Sequence, residues 1–552
     1  VKLERANIAS HLTRMASERP DAPAIIFPQG RDGRGRVSYT HLTYRQLDDE
    51  SERIARGLIR LGIARGTRTV LMVKPSLELF SITFALFKAG IVPVLVDPGI
   101  GISALGRCLH EARPEAFIGI PAAHAARVLL GWARPTIRAR VTVGRRCFWG
   151  GHTLEQVLRA GSESGGELGD VAPDDPAAII FTSGSTGVPK GVLYTHANFA
   201  AQVRMIRDTF AITPGEVDLP TFPLFALFDP ALGMTTIIPD MDATRPARVD
   251  PEKIREAIEN FGVTNMFGSP ALLRRVGEHG ATLGWSFPTL RRVISAGAPV
   301  SGEIIETFTK LLGPGARIFT PYGATESLPV SVVGSEEILS ETRARTREGA
   351  GVCVGRPVEG ARVSVIPITE EPIGAWSESL AVGPGTVGEI VVRGPQVTRG
   401  YFGREKATAA AKIAAADGGF YHRMGDLGYF DEKGRLWFCG RKAHRVVLAE
   451  ETLYTIPCEG VFNAHPEVAR TALVGANKDG RTVPVLCVEL RSKRGAADRK
   501  RISRELLALG STRPHTKEIR AVLFHPAFPV DTRHNSKIFR EKLAVWASGR
   551  LP

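Results

Sequence analysis

Apolar positions recur with a helical period early in the chain. Leu47, Ile54, Leu58 and Leu61 share one face of residues 44–61 and charges fill the other, which predicts an amphipathic helix closed by Gly62. Residues 69–73 follow as a short β-type run, 77–88 as a second helix stopped at Gly90, and 91–96 as a strand closed by Asp97 and Pro98. Strand, helix and strand in alternation predict parallel sheets with helical crossovers. The same texture returns at 177–182, 263–267, 292–295 and 317–320.

After Gly385 the pattern changes. Short alternating runs at 388–393, 428–430 and 435–439, separated by Gly and Asp turns, predict antiparallel β structure. From about residue 441 a smaller segment begins, with strand-like runs at 471–474 and 485–490 and two charged helices. The expected class is α/β: a large N-terminal domain, 1–440, of parallel-rich sheets flanked by helices plus a β-rich subdomain, and a small mobile α+β domain, 441–552. Residues 334–351, charged and helix-like, and 366–385, rich in Glu, Pro and Gly, are expected to be surface excursions.

Composition narrows the class. The 552 residues are 43% hydrophobic and 23% charged, which excludes wholesale disorder. The formal charge of +14 suits an anionic partner without choosing one. The basic clusters at 134–146 and 491–504 carry no nucleic-acid motif, so a solvated face is the expectation, with partner docking as another use. Six cysteines (residues 108, 147, 353, 439, 458 and 487) form no CxxC pair, so neither a zinc site nor a disulfide framework is expected. No uncharged apolar run reaches the roughly 18 residues of a membrane span, and residues 1–12 hold no apolar signal core. A cytoplasmic protein without a transmembrane segment is expected.

The most informative segment is IIFTSGSTGVPKGVLYTH at 179–196. An apolar strand runs into Thr182, Ser183, Gly184, Ser185, Thr186 and Gly187, followed by Lys190. Glycines let backbone N–H groups turn toward an anion, the hydroxyls donate to phosphate oxygens, and Lys190 adds positive charge. A Walker A loop requires Gly-Lys followed by Ser or Thr; here Pro189 precedes the lysine and Gly191 follows it.

This run resembles the signature loop of the adenylate-forming enzymes: acyl-CoA synthetases, luciferases and peptide-synthetase adenylation domains. Further motifs follow in order. Gly297, Ala298 and Pro299 resemble the adenine-side turn; Tyr322, Gly323, Ala324, Thr325 and Glu326 match YGxTE; 424–427 match the GDL motif; Gly440 and Arg441 match the start of the hinge; and Asn535, Ser536, Lys537 and Ile538 stand where the family has SGKI. The resemblance implies the family's fold, ATP and Mg²⁺. Tyr322 would stack on adenine, Asp426 would hold the ribose hydroxyls, Arg441 would serve the ribose or the hinge, Thr325 would donate to the α-phosphate, Glu326 would bind Mg²⁺, and Lys537 would be the catalytic lysine. A carboxylate attacking the α-phosphorus must meet another anion, and Lys537 with Mg²⁺ would supply charge there.

The sequence also departs from the thioester-forming members. Their hinge reads GRxDDxIKxxG, whereas here Ala443, His444 and Val447 replace the acids and lysine, and Glu450 and Glu451 stand near the missing glycine. The usual Pro-x-Phe-His turn reads Pro223, Leu224, Phe225, Ala226. With 322–329 and 530–543, the altered hinge resembles the β-lactone synthetases of bacterial long-chain olefin biosynthesis. That resemblance implies a long-chain 2-alkyl-3-hydroxyalkanoic acid whose own 3-hydroxyl attacks the acyl-adenylate. It also implies assembly with a pathway reductase and a β-lactone decarboxylase, without nucleic acid. The alternatives are a long-chain acyl-CoA ligase and a basic scaffold that has lost activity. His196 and His444 are candidates for a base by location and type. Phe225, Leu227, Phe228, Met234 and Phe267 suit either an acyl pocket or ordinary core packing.

Overall fold

The computed structural model describes residues 7–163, 168–181, 189–530 and 538–551. The period-3.6 segment is the helix Tyr44–Arg60. Thr43 caps it: Gln46 N donates to Thr43 Oγ1 at 3.2 Å, and Thr43 N donates back to Gln46 Oε1 at 2.9 Å. Its apolar stripe, including Leu47, Ile54 and Leu58, is buried. The helix crosses Leu154–Ser162 at backbone contact, because a Cβ on Gly161 would stand 1.8 Å from the Arg53 carbonyl oxygen. Leu77–Lys88 forms as expected, yet Lys88 is not a solvated terminal charge: its ammonium lies 2.7 Å from Asp48 Oδ1 and is buried.

Among the described residues the strands form two large sheets and two small ones. In the eight-stranded sheet, Pro176–Phe181, Val92–Leu95, Arg68–Met72, Ala116–Gly119, Ala139–Thr142 and His152–Thr153 run parallel in that order. Gly191–Thr195 returns antiparallel beside Pro176–Phe181, and Gly400–Tyr401 pairs outside it.

The fourteen-stranded sheet has two textures. Thr235–Ile237, Val217–Pro220, Asn265–Phe267, Arg292–Ile294 and Arg317–Ala324 are parallel neighbours. Beyond them Ser327–Gly334, Val352–Pro357, Leu436–Arg441, Phe420–Phe430, Gly388–Arg393 and Arg362–Ile366 are antiparallel. The antiparallel part begins at Ser327–Gly334, earlier in the chain than the change of texture expected after Gly385. After Arg441 come the hairpin Val446–Val447 with Thr452–Leu453, and a three-stranded sheet of Val468–Lys478, Arg481–Leu490 and Ala521–Phe524.

The charged stretch at 334–351 is helical, as Ser335–Glu337, Ile338–Thr342 and Arg343–Arg347, but it is not a mere surface excursion. Glu337 and Glu341 accept from Arg435, whose side chain is fully buried. The stretch at 366–385 is tied inward too, with Trp376 stacked 3.9 Å from Tyr421. No helix among the described residues is long and apolar enough to cross a membrane.

Candidate active site

The parallel strands of the larger sheet end together, and several sequence motifs sit at those ends. Arg292–Ile294 leads into Ser295, Ala296, Gly297, Ala298 and Pro299, and Ser295 N donates to the Phe319 carbonyl at 2.9 Å. The neighbouring strand Arg317–Ala324 carries Tyr322, Gly323 and Ala324 and bulges between Tyr322 and Ala324 as it turns back toward Ser327–Gly334. Gly323 is required there: a Cβ would fall 2.8 Å from the Ser327 carbonyl oxygen.

Tyr322, Asp426 and Arg441 meet although far apart in the chain. Asp426 and Arg441 are register partners on Phe420–Phe430 and Leu436–Arg441. Tyr322 OH donates to Asp426 Oδ2 at 2.6 Å. Asp426 Oδ1 lies 3.1 Å from Arg441 Nε, yet it accepts no hydrogen bond among the described residues. Burial pushes the Asp426 carboxyl up, while Arg441 and the Tyr322 hydroxyl oppose that rise. Burial likewise raises the Tyr322 phenol. The result is a buried acceptor, with one oxygen satisfied and the other beside a guanidinium.

A second group lies around Glu326. Tyr401 OH donates to Glu326 Oε1 at 2.9 Å, which leaves Oε2 without a hydrogen bond among the described residues. Lys190 Nζ stands 4.7 Å above the Tyr401 ring. Tyr194 OH donates to the Thr325 carbonyl, and Thr398 N donates to the Glu326 carbonyl at 3.0 Å. Lys412 Nζ donates to the Thr398 carbonyl; burial brings its ammonium down to about 7, opposed by the Glu326 charge. Tyr401 and Lys412 lie in none of the motifs read from the sequence above. Neither its local period nor its residue type reveals that Tyr401 joins Glu326 to Lys190.

Thr182, Ser183, Gly184, Ser185, Thr186, Gly187 and Lys537 lie outside the described residues. The residues after Lys537 are placed: Ile538 bridges to Val530, and Phe539 N donates to the Pro529 carbonyl at 2.9 Å. Just after Arg441, Lys442 Nζ donates to the Thr369 carbonyl at 3.0 Å and to Glu389 Oε2 at 3.2 Å. Arg445 pairs with Glu370 at 2.8 Å.

His196 does not suit the role of a base. It is 1% exposed, its Nδ1 accepts from Ile8 N at 3.3 Å, and burial lowers its imidazole to about 4. His444 is half-buried on the turn Lys442–His444. Among the apolar candidates, Met234 is fully buried core. Phe225 and Phe267 face each other at 4.5 Å, half-buried at the same strand ends, and Phe222 joins them 5.1 Å from Phe225.

Residues 12–402 match the family described as AMP-binding enzyme. The chain is 54% identical over 551 residues to the olefin beta-lactone synthetase of Stenotrophomonas maltophilia (strain K279a), covering 99% of this chain and 98% of the relative. It is 53% identical over 547 residues to the protein of that name from Xanthomonas campestris pv. campestris, covering 98% and 97%. Solved structures at lower identity share the fold. The amide bond synthetase McbA of Marinactinospora thermotolerans superposes with a TM-score of 0.76 at 21% identity, covering 95% of this chain and 97% of that one. The o-succinylbenzoate CoA synthetase MenE of Bacillus subtilis, solved with ATP and magnesium ion, gives 0.74 at 20%, covering 97% and 98%.

Proposed function

The chain belongs to the AMP-binding enzyme family, and on that premise we propose that it is an olefin β-lactone synthetase, an AMP-forming ligase. The substrate is a long-chain 2-alkyl-3-hydroxyalkanoic acid. The observation that carries the reading is the similarity to olefin beta-lactone synthetases along nearly the whole chain.

In the first step a carboxylate oxygen attacks the α-phosphorus of ATP, and the bond to pyrophosphate breaks. In the second, the 3-hydroxyl oxygen attacks the acyl carbonyl, AMP leaves, and the hydroxyl proton departs with the phosphate products. The nucleophile is tethered, so the protein has to orient it and exclude water rather than recruit a second substrate. Phe222, Phe225 and Phe267 form an aromatic wall suited to an alkyl chain at the strand ends.

We assign the nucleotide to the first two groups described above. Tyr322 offers its ring to adenine while its hydroxyl fixes Asp426, whose unused Oδ1 is the acceptor for a ribose hydroxyl. Arg441 opposes the burial that pushes that carboxyl up. Gly297, Ala298 and Pro299 lie at the adjacent strand end, and Gly323 and Ala324 carry the chain past it. Thr182, Ser183, Gly184, Ser185, Thr186, Gly187 and Lys190 are assigned to the phosphates, with Thr325 at the α-phosphate. Glu326 fits Mg²⁺: it is a carboxylate with one oxygen that accepts no hydrogen bond among the described residues, and a cation of this kind takes one or two carboxylates and fills the rest with phosphates and water. Bound there, Mg²⁺ would neutralise charge on the phosphates. Lys537, carried by a mobile unit at 441–552 that closes on the body at 1–440, neutralises the encounter of the two anions.

The reading extends to a cytoplasmic protein assembled with the reductase that makes its substrate and the decarboxylase that consumes its lactone. A CoA ligase is the second reading. The turn between Val446–Val447 and Thr452–Leu453 carries Glu450 and Glu451, and two acids there oppose an anionic thiol donor. Incubation with a 3-hydroxy acid and ATP, with and without CoA, separates the two. β-Lactone and AMP without CoA are expected; a thioester that forms only with CoA, and no lactone in its absence, would refute the proposal.

A further inference from the structure

One face of the eight-stranded sheet carries the helices Ile102–Ala112 and Pro121–Leu129. Their inner sides pack with Phe117 and Trp132 through Leu105, Cys108, Leu109 and Ala112 of the first helix and Ala123 and Ala126 of the second. Their outer side is unusual for a solvated surface. Leu129 is 81% exposed, Phe148 76%, Ile102 66% and Leu130 49%. Ile102 and Leu130 line one groove with Arg107 and His110. Phe148 is held beside the second helix by Trp149, 5.2 Å away, whose own ring stacks 5.4 Å from His124 of that helix. Single exposed apolar side chains are ordinary; four large ones on one face mark an interaction site.

The charge on this face is as one-sided as its hydrophobicity. Residues 102–148 contain eight arginines against two acids. Both acids are already paired: Glu111 with Arg404 at 2.6 Å and Glu115 with Arg68 at 2.8 Å. Arg107, Arg113, Arg134, Arg138, Arg145 and Arg146 are exposed. Apolar side chains that project outward, on a segment rich in exposed guanidiniums with flexible apolar stems, match a layer that is anionic at its surface and hydrocarbon beneath.

We propose that this face docks the protein on an anionic lipid bilayer, with Leu129, Leu130, Ile102 and Phe148 entering the headgroup boundary and the arginines meeting lipid phosphates. Neither component suffices alone, since stable peripheral attachment takes two signals, and this face supplies both. The inference does not rest on the proposed reaction; a chain that adenylated some other acid would carry the same face.

Flotation of the full-length protein with vesicles tests it, comparing phosphatidylglycerol mixed with phosphatidylcholine against phosphatidylcholine alone. Binding is expected only to the anionic vesicles, and it should weaken as salt is added. The variant Arg134→Gln/Arg145→Gln/Arg146→Gln should lose about a hundredfold in partitioning, at roughly fivefold per cation. Leu129→Ser/Phe148→Ser should also lose binding, while ATP–pyrophosphate exchange stays at the wild-type rate in both variants. Three outcomes would overturn the proposal: active enzyme that never floats with anionic vesicles at low salt; flotation that neither variant changes; or binding that the serine variant keeps in full and soluble heparin abolishes, which would make the face a site for an acidic macromolecule.

Discussion

In the role proposed for it, Lys537 can act only if its backbone is held, and the structure identifies what holds the residues that follow it. Arg540 opens the helix Arg540–Ser548. Its Nη2 donates to both oxygens of Glu459, at 2.8 and 2.6 Å. Glu459 belongs to Thr455–Phe462, is 4% exposed, and also accepts from Leu473 N at 2.8 Å. Burial pushes its carboxyl up and the guanidinium opposes that. Arg540→Met leaves a buried carboxylate unpaired, which costs about 3–5 kcal/mol of stability. The double variant Glu459→Leu/Arg540→Met should recover most of that loss, because matched apolar replacements of a buried pair are often close to neutral. Position is not recovered so easily. A displacement of the lysine by about 1 Å costs on the order of a hundredfold in rate. The double variant should therefore melt near wild type in urea yet adenylate about a hundredfold more slowly by ATP–pyrophosphate exchange. Lactone release from preformed acyl-adenylate should be unchanged, since the lysine is assigned to the first step. The same change in a Lys537→Ala background should have almost no further effect. If it slows that enzyme as much as it slows the wild type, the pair does not act through the lysine and the reasoning fails.

Other consequences follow from single contacts. Tyr322→Phe keeps the ring and removes the donor to Asp426, so KM for ATP should rise about tenfold, in line with 1–3 kcal/mol for a bared buried acceptor; steady-state kinetics with ATP varied would expose an unchanged KM. His196 is neutral in the native protein with its imidazole lowered to about 4, while in the unfolded chain it ionises near 6.5. The unfolded state therefore binds the extra proton as pH falls through that window. Stability fully present above 6.5 is lost toward 4, by about 3 kcal/mol, and His196→Gln should remove that slope from urea melts; an identical slope in the variant contradicts the assignment. Asp218 and Asp229 are buried, hydrogen-bonded to each other and both raised, Asp218 to about 7. Here the sign reverses: the native pair keeps a proton that the unfolded carboxylates lose, so stability falls as pH rises from about 4 to about 7. Asp229→Asn, still able to accept from Thr236, should flatten that slope, with a gain over the wild type of about 1–3 kcal/mol at about pH 8 and little at about pH 5; a variant that keeps the full wild-type slope would count against the shared proton.

What could be read from the sequence depended on how local each cause is. The helix Tyr44–Arg60 and the strand Gly388–Arg393 declare themselves because period and end signals lie within the element. The strands Pro23–Arg31 and Val37–Thr43 went unseen: proline, glycine and charge interrupt their alternation, and they form by pairing with each other at a sheet edge. Glu337 and Glu341 read as solvent charges because nothing nearby announces Arg435, almost a hundred residues on, whose buried guanidinium needs them. The candidate site divides in the same way. Short motifs named Tyr322, Glu326 and Asp426, but the bonds Tyr322–Asp426 and Tyr401–Glu326 span 104 and 75 residues and leave no local trace. For the acyl side, residue type is no guide at all. Phe225, Phe267 and Met234 are alike as apolar residues; only their position relative to the strand ends separates the first two from the buried core. A tethered nucleophile asks mainly for orientation, and orientation by apolar surfaces uses the same amino acids as packing does. A reaction that depends on such surfaces is therefore harder to read from sequence than one that depends on a base, and the half-reaction written in Gly, Thr, Glu and Lys motifs was the legible half.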